Sequence, residues 1–523
     1  MIATEMTTQM DTTTTTTIGN RIEENIINII KTDKCLDSDL FIKRNEIQIH
    51  LKLYNSIDIT SRSLKSSAVR LRVSMYQMLP KDAEASNDGS NFGLQLTPIE
   101  LSVQNDKESL FAPQEPFGRL YSPKEYLIYR TKFTEMDEVA FTIELLTDDS
   151  DPKRIAFCNL FASHLKDTNG VISMSFNTEN GKIVAQLHFE YLIMNPIKCT
   201  EDFHEKVSVE SWLTHAKGYD VGHRGAGIAR RTDRIENILE NTIASFNFAS
   251  LHGADMVELD VQLSKDKIPI VYHDFNVNII MKNKRTKLDS GRPSTEVHTM
   301  AIKDLTFSQL QSLQSMPVIK ENKVYYDFGD EDQSEEHLPF ASLQKVLEMV
   351  DPKCGANVEI KYPQEKVCGQ WEADKTFDLN EYVDIILSIV FEFGGARNIM
   401  FSSFHPDICA LLKYKQTRYP VLFLTQGLTA KWPPFKDYRG SSIEMAAYFA
   451  QCVGLEGVNV HAEDIIKDRS LIGFVKSKNL ILFCWGDDLN DTKLISELKG
   501  QGVDGVIYDR IDILCAKGFS NSK

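Results

Sequence analysis

The stretch Ile47-Gln48-Ile49-His50-Leu51-Lys52-Leu53 alternates apolar and polar residues without a fault. Residues 69–73, 141–145 and 185–189 repeat the pattern. Successive side chains of a strand point to opposite faces, so such runs predict strands with one face in a core and one in solvent. Polar, Gly, Asp and Asn breaks separate the runs, and no amphipathic helix interrupts them. Residues 46–200 are therefore expected to form an all-β sandwich, C2-like or generic. Within it, residues 81–90 read as an exposed loop. Ahead of it, residues 1–45 contain an unbroken threonine run at 12–17 and read as a disordered Thr-rich tail.

The texture changes near Tyr219. Short apolar runs at 220–221, 256–263, 357–360, 399–401, 421–424, 481–483 and 503–507 now alternate with helical stretches such as 244–251 and 382–391. Repeated β-then-α units imply a parallel sheet covered by helices. The length and strand count suit an α/β fold of the TIM (β/α)8 barrel type over residues 219–515. Residues 282–340 are charged, carry a weak strand signal, and read as an insertion near the active face.

At 523 residues the chain suits two domains, and 42% apolar residues suffice for sizeable cores. A net charge of -16 argues against a broad nucleic-acid or anionic-membrane surface. No apolar run reaches the length of a membrane span and the first residues lack a signal-peptide pattern, so a cytoplasmic protein is expected. Nine cysteines, odd in number and without CxxC spacing, suit buried thiols in a reducing compartment.

The chemistry concentrates after Tyr219. His223 follows one short apolar run, Glu258 and Asp260 share a strand, His273 ends another run, and Glu359 precedes Lys361 by two. Residues two apart on a strand point the same way. Two carboxylates facing one way in an apolar run repel each other when buried, and a divalent cation between them relieves that cost. Two histidines add groups that exchange protons near neutral pH. The set is what metal-assisted cleavage of a phosphate ester requires.

In order, His223-Arg224-Gly225, Glu240-Asn241-Thr242, Glu258-Leu259-Asp260-Val261, His273-Asp274 and Glu359-Ile360-Lys361 resemble the glycerophosphodiester phosphodiesterase family. The ending Gly502-Val503-Asp504-Gly505-Val506-Ile507-Tyr508-Asp509 resembles its last barrel strand. The likeness is strongest to the family's cytosolic eukaryotic branch that cleaves glycerophosphocholine. It implies a phospholipase C-like barrel, Mg2+ or Ca2+ on Glu258, Asp260 and Glu359, and His223 and His273 as acid and base. It also implies a small-molecule substrate, sn-glycero-3-phosphocholine, cleaved to glycerol 3-phosphate and choline. Arg224 and Lys361 are then the candidates for holding phosphate. Glu240 would orient a histidine or cap the following helix, and Asn241 and Thr242 read as helix-capping residues. Trp485 would cover the choline headgroup or sit in the barrel core. The starch-binding module usual in that branch is not recognised here, and the sandwich is expected to engage a protein partner. Rival readings are a lysophospholipase D or phospholipase C activity, and a catalytically silent scaffold.

Overall fold

In the computed structural model, the described residues are 45–52, 56–62, 64–78, 94–104, 109–197, 218–227, 238–287, 293–313, 319–320, 323–324 and 334–515. The Thr-rich tail before residue 45 and the loop at 81–90 lie outside them. The architecture matches the expectation: an antiparallel β-sandwich precedes a closed (β/α)8 barrel. In the sandwich, Val69–Met78 pairs with Val139–Thr147, which pairs in turn with Arg154–Phe161. Leu71, Val73, Ile143, Leu145, Leu160 and Leu187 meet in its core. Their polar chain neighbours Arg70, Arg72 and Thr142 are only partly buried, as the period of two requires.

The first strand, Asn45–Leu51, departs from that rule. Its polar residues Glu46, Gln48 and His50 are as buried as Ile47 and Ile49. The face expected in solvent is covered by the barrel: His50 lies among Asp407, Asp437 and Arg439 of the barrel domain. The two domains are also pinned by hydrogen bonds. The Asn380 side chain donates to the Ile193 carbonyl and to Thr168 Oγ1, and accepts from the Asn195 amide. Lys415 donates to the Asn195 carbonyl and pairs with Asp384.

Eight parallel strands close the barrel: β1 (Tyr219–Gly222), β2 (Met256–Leu263), β3 (Gly355–Ile360), β4 (Ile399–Ser403), β5 (Val421–Thr425), β6 (Gly457–His461), β7 (Ile481–Trp485) and β8 (Gly505–Tyr508). β1 pairs with both β2 and β8, so no edge is left open. Alternation sorts the side chains. Val257, Leu259 and Val261 of β2 face the helices with Val358 and Ile360 of β3. Met256, Met400, Leu422, Ile481 and Phe483 fill the bottom of the lumen. Towards the carboxyl ends the inward residues turn polar, from Asn357 and Ser402 to Asn459, so the site sits on an apolar plug.

The start of the segment 282–340, expected to have little strand character, belongs to a hairpin, Asn276–Lys287 against Pro293–Ala301; residues 288–292, 314–318, 321–322 and 325–333 lie outside the described residues. Its two strands pair with each other in register over most of their length. A ribbon of this kind needs no apolar alternation matched to the main core, which is why the sequence pattern under-reports it. Among the described residues no helix is long and apolar enough to cross a membrane.

Candidate active site

Register brings the carboxylates together. Glu258 and Asp260 point inward from β2, and the parallel pairing sets Asp260 beside Glu359 of β3. One oxygen from each of Glu258, Asp260 and Glu359 lies within 4.8 Å of the others, and all three residues are buried. Burial and then the Asp260 charge push Glu258 well above the usual carboxylate range. Burial likewise raises Glu359, against the pull of Lys361. Burial acts on Asp260 in the same sense, but His273, Lys361 and Arg224 outweigh it and hold that carboxyl ionised. Lys361 Nζ lies 3.1 Å from Glu359 and 3.7 Å from Asp260.

Arg224 ties the first strand end to this cluster. Its backbone amide donates to Glu258 Oε2 at 2.9 Å, and its guanidinium meets Glu240 Oε1 at 2.9 Å and Asp260 Oδ2 at 3.4 Å. Glu240 thus holds Arg224, a role outside the two considered from sequence. The helix cap belongs to Thr242, which accepts from the Ser245 amide. Asn241 instead donates to Asp260 Oδ2 at 2.8 Å. Arg224 and Asn241 both have positive φ, 50° and 58°, a conformation non-glycine residues rarely adopt outside functional turns.

Each histidine carries an aspartate on Nδ1. His223 pairs with Asp509 Oδ1 at 3.0 Å, and His273 with Asp274 Oδ1 at 2.6 Å. Both histidines line the same cavity of about 520 Å3. Burial and the Arg224 charge press His223 down, yet the Asp509 hydrogen bond and the Asp509 and Glu258 charges leave it raised. Asn490 anchors Asp509 by donating to Oδ2 and accepting from its amide. Gly227 makes the approach possible: with φ at 73°, a Cβ there would fall 2.3 Å from Asp509 Oδ1.

Opposite the carboxylates the cavity wall is aromatic. Trp485 stacks on Trp432 with centroids 5.6 Å apart, and Phe404 meets Trp485 edge-on at 5.5 Å. Phe435 lies 5.9 Å from Phe404. Trp485 therefore stands at the cavity, not in the sealed core. Its Nε1, Asn357 Nδ2 and Asn459 Oδ1 are buried with no hydrogen-bond partner among the described residues.

The structure thus brings His223, Arg224, Glu240, Glu258, Asp260, His273, Glu359, Lys361 and Trp485 to one rim. Sequence reasoning assigned no role to Asp509, Asn490, Phe404, Phe435 or Trp432. Asp274 and Asp509 carried a weak signal, a carboxylate directly after a histidine and one directly after the last strand. Trp432 carried none.

Hard oxygen donors in a tight buried group fit a divalent cation such as Mg2+ or Ca2+. Glu258 Oε1 supports that fit, being buried with no hydrogen-bond partner among the described residues. The carboxylates of Glu258, Asp260 and Glu359 would hold the ion.

Residues 223–513 match the glycerophosphoryl diester phosphodiesterase family, and residues 42–198 match the GDE1-like C2 domain. A human protein named glycerophosphocholine phosphodiesterase GPCPD1 is 33% identical over 504 residues, covering 91% of this chain and 73% of that protein. Candida albicans glycerophosphocholine phosphodiesterase GDE1 is 31% identical over 387 residues, covering 66% and 32%. A phosphodiesterase from Oleispira antarctica, solved with the product sn-glycerol-3-phosphate, covers 57% of this chain and 94% of its own. It shares 18% identity at a TM-score of 0.38.

Proposed function

The chain belongs to the glycerophosphoryl diester phosphodiesterase family and is a glycerophosphodiester phosphodiesterase, and from that premise we propose that its substrate is sn-glycero-3-phosphocholine, hydrolysed to glycerol 3-phosphate and choline. The observation that carries the choline assignment is the wall of Trp432, Trp485, Phe404 and Phe435 facing the carboxylate rim across one cavity. Aromatic faces attract a quaternary ammonium that cannot donate hydrogen bonds, by roughly 0.5–2 kcal/mol each. The unpartnered polar atoms of Asn357 and Asn459 suit the glycerol hydroxyls.

A divalent cation, when bound, would neutralise the phosphodiester and stabilise charge on its oxygens. Lys361 and Arg224 add fixed positive charge at the phosphate position, both held by carboxylates and so preorganised. His273, steadied by Asp274, takes the proton of the attacking water. His223, whose pKa Asp509 raises, gives its proton to the choline oxygen as the phosphorus–oxygen bond breaks. Fixing each Nδ1 on an aspartate leaves each Nε2 for this exchange. Cytoplasmic work suits the free thiols, among them exposed Cys368.

The test is choline release by purified protein from glycerophosphocholine, with glycerophosphoethanolamine and lysophosphatidylcholine as competing substrates, with and without chelator. Glycerophosphocholine should be preferred, chelator should stop turnover, and added Mg2+ or Ca2+ should restore it. Trp485→Ala should raise KM for glycerophosphocholine and leave that for glycerophosphoethanolamine nearly unchanged. Equal loss on both substrates would remove the headgroup assignment, and full activity in excess chelator would remove the metal.

A further inference from the structure

The two tryptophans of the cavity wall share a neighbour that is not itself among the residues lining the cavity. His461 ends β6, and strand pairing sets it beside Trp485, the last residue of β7. Its ring meets Trp485 with centroids 4.8 Å apart and planes at 66°, and Trp432 at 5.3 Å and 83°. Both are edge-to-face contacts, the arrangement that ring quadrupoles favour. Gly486 makes room for the ring: with φ at 130°, a Cβ there would fall 2.8 Å from His461 Nε2.

His461 is 1% exposed, and neither ring nitrogen has a hydrogen-bond partner among the described residues. Glu463 Oε2, 3.9 Å from Nδ1, accepts instead from Thr429 Oγ1. A buried polar group left unpaired is costly, and an apolar side chain of similar size would fill this space at less cost. Packing alone therefore does not account for a histidine here. What the ring supplies and an aliphatic chain does not is an oriented aromatic contact with both indoles. Burial, then the Lys431 charge, lowers its pKa against the pull of Asp488, Glu463 and Asp464. The ring thus brings no positive charge to compete with a cation bound on the indoles.

Trp432 sits on the loop after β5 and is 38% exposed, so its orientation depends on what holds that loop. The Leu428 amide donates to Asp464 Oδ2 at 2.7 Å, and Lys431 pairs with Asp488 at 3.0 Å. Asp464 follows His461 and Asp488 follows Trp485 by three residues each. These tethers fix the course of the loop, and the His461 ring fixes how the two indoles stand. We propose that His461 is a positioning residue for headgroup recognition, holding Trp432 and Trp485 as one preformed platform for the quaternary ammonium. This rests on the reading that the aromatic wall takes the choline headgroup.

The experiment compares steady-state kinetics of the intact chain, His461→Leu and Trp485→Ala on glycerophosphocholine and glycerophosphoethanolamine. His461→Leu should raise KM for glycerophosphocholine about threefold to tenfold, with kcat and both constants for glycerophosphoethanolamine nearly unchanged. Its melting temperature should equal or exceed the parent's, because two unpaired nitrogens are removed. His461→Asn keeps a polar group and lacks the ring; it should raise the same KM, and it keeps the comparison valid if His461→Leu fails to fold. An unchanged KM in both His461 variants beside a raised one in Trp485→Ala would overturn the proposal and leave the headgroup reading standing. So would equal losses on both substrates with a fall in melting temperature, the mark of a purely structural role. No choline-selective change in Trp485→Ala would remove the headgroup reading, and the proposal with it.

Discussion

Two clusters of buried charge lie in this molecule and are solved in opposite ways. In the seam between the sandwich and the barrel, Arg439 is 2% exposed and surrounded by acceptors: Asp437 takes its Nε and one terminal nitrogen, and Asp407 takes the other. Burial pulls that guanidinium down, and the two aspartates more than restore it. At the rim, Glu258, Asp260 and Glu359 crowd together, and their cations Arg224 and Lys361 leave Glu258 pushed towards its neutral form. In the seam the buried guanidinium has a carboxylate on each side. The rim instead crowds three carboxylates whose ligand chemistry suits a divalent cation, the arrangement expected of a working site.

The contrast predicts that damage at the rim shows in turnover and damage in the seam shows in stability. His273→Ala should lower kcat by about 10²–10⁴-fold. Its thermal unfolding should stay close to the parent's, and a large fall in melting temperature would break the division. Asp437→Ala leaves Arg439 buried and short of partners, and should cost about 3–5 kcal/mol in denaturant unfolding. Its kcat under native conditions should change little; a loss comparable to that of His273→Ala would show the seam to be catalytic.

Asp509→Asn tests a positioning residue. Its loss should lower activity by about 10–100-fold, the range found for the outer hydrogen-bond partners of metal-ligating histidines. Because Asp509 raises His223, and His223 is proposed to act in its protonated form, the alkaline limb of the pH–rate profile should also move to lower pH. A purely structural role would lower the rate and leave the limb in place. The smallest effect concerns the carboxylates of the rim. A carboxyl raised in the folded state contributes stability at low pH that is lost as pH rises above its ordinary value of 4.5. Metal-free protein should therefore lose melting temperature from acid towards neutral pH. Glu258→Gln should flatten that slope and gain about 1–2 °C near neutrality, the shift that about 1 kcal/mol gives in a barrel of this size.

Much of this was visible in the chain. Glu258 and Asp260, two apart in an apolar run, announce shared direction and mutual repulsion before any fold is known. Their meeting with Glu359 was a matter of strand register, which the barrel supplies. The partners Asn490 and Trp432 were hidden, and Asp509 only weakly marked, because each is one polar or aromatic residue on a loop or strand end, with no period to single it out. The first strand shows a different limit. Alternation in residues 47–53 states that two faces differ in polarity, not that the polar one meets water. Here it meets a second domain, and Glu46, Gln48 and His50 are buried as deeply as the apolar face.

Between the sandwich and the barrel lies a smaller cavity that Glu365 and Trp371 line, while their neighbours Lys366 and Glu372 line the catalytic one, and this shared wall has a consequence for how such an enzyme can change. Around 365–366 and 371–372 consecutive side chains face opposite chambers, so insertion or deletion of one residue there would exchange the contents of both at once. Lys366 and Glu372 would leave the catalytic chamber, and Glu365 and Trp371 would enter it. Substrate preference could then jump in a single mutational event with every barrel strand untouched, a path that substitution one residue at a time does not offer.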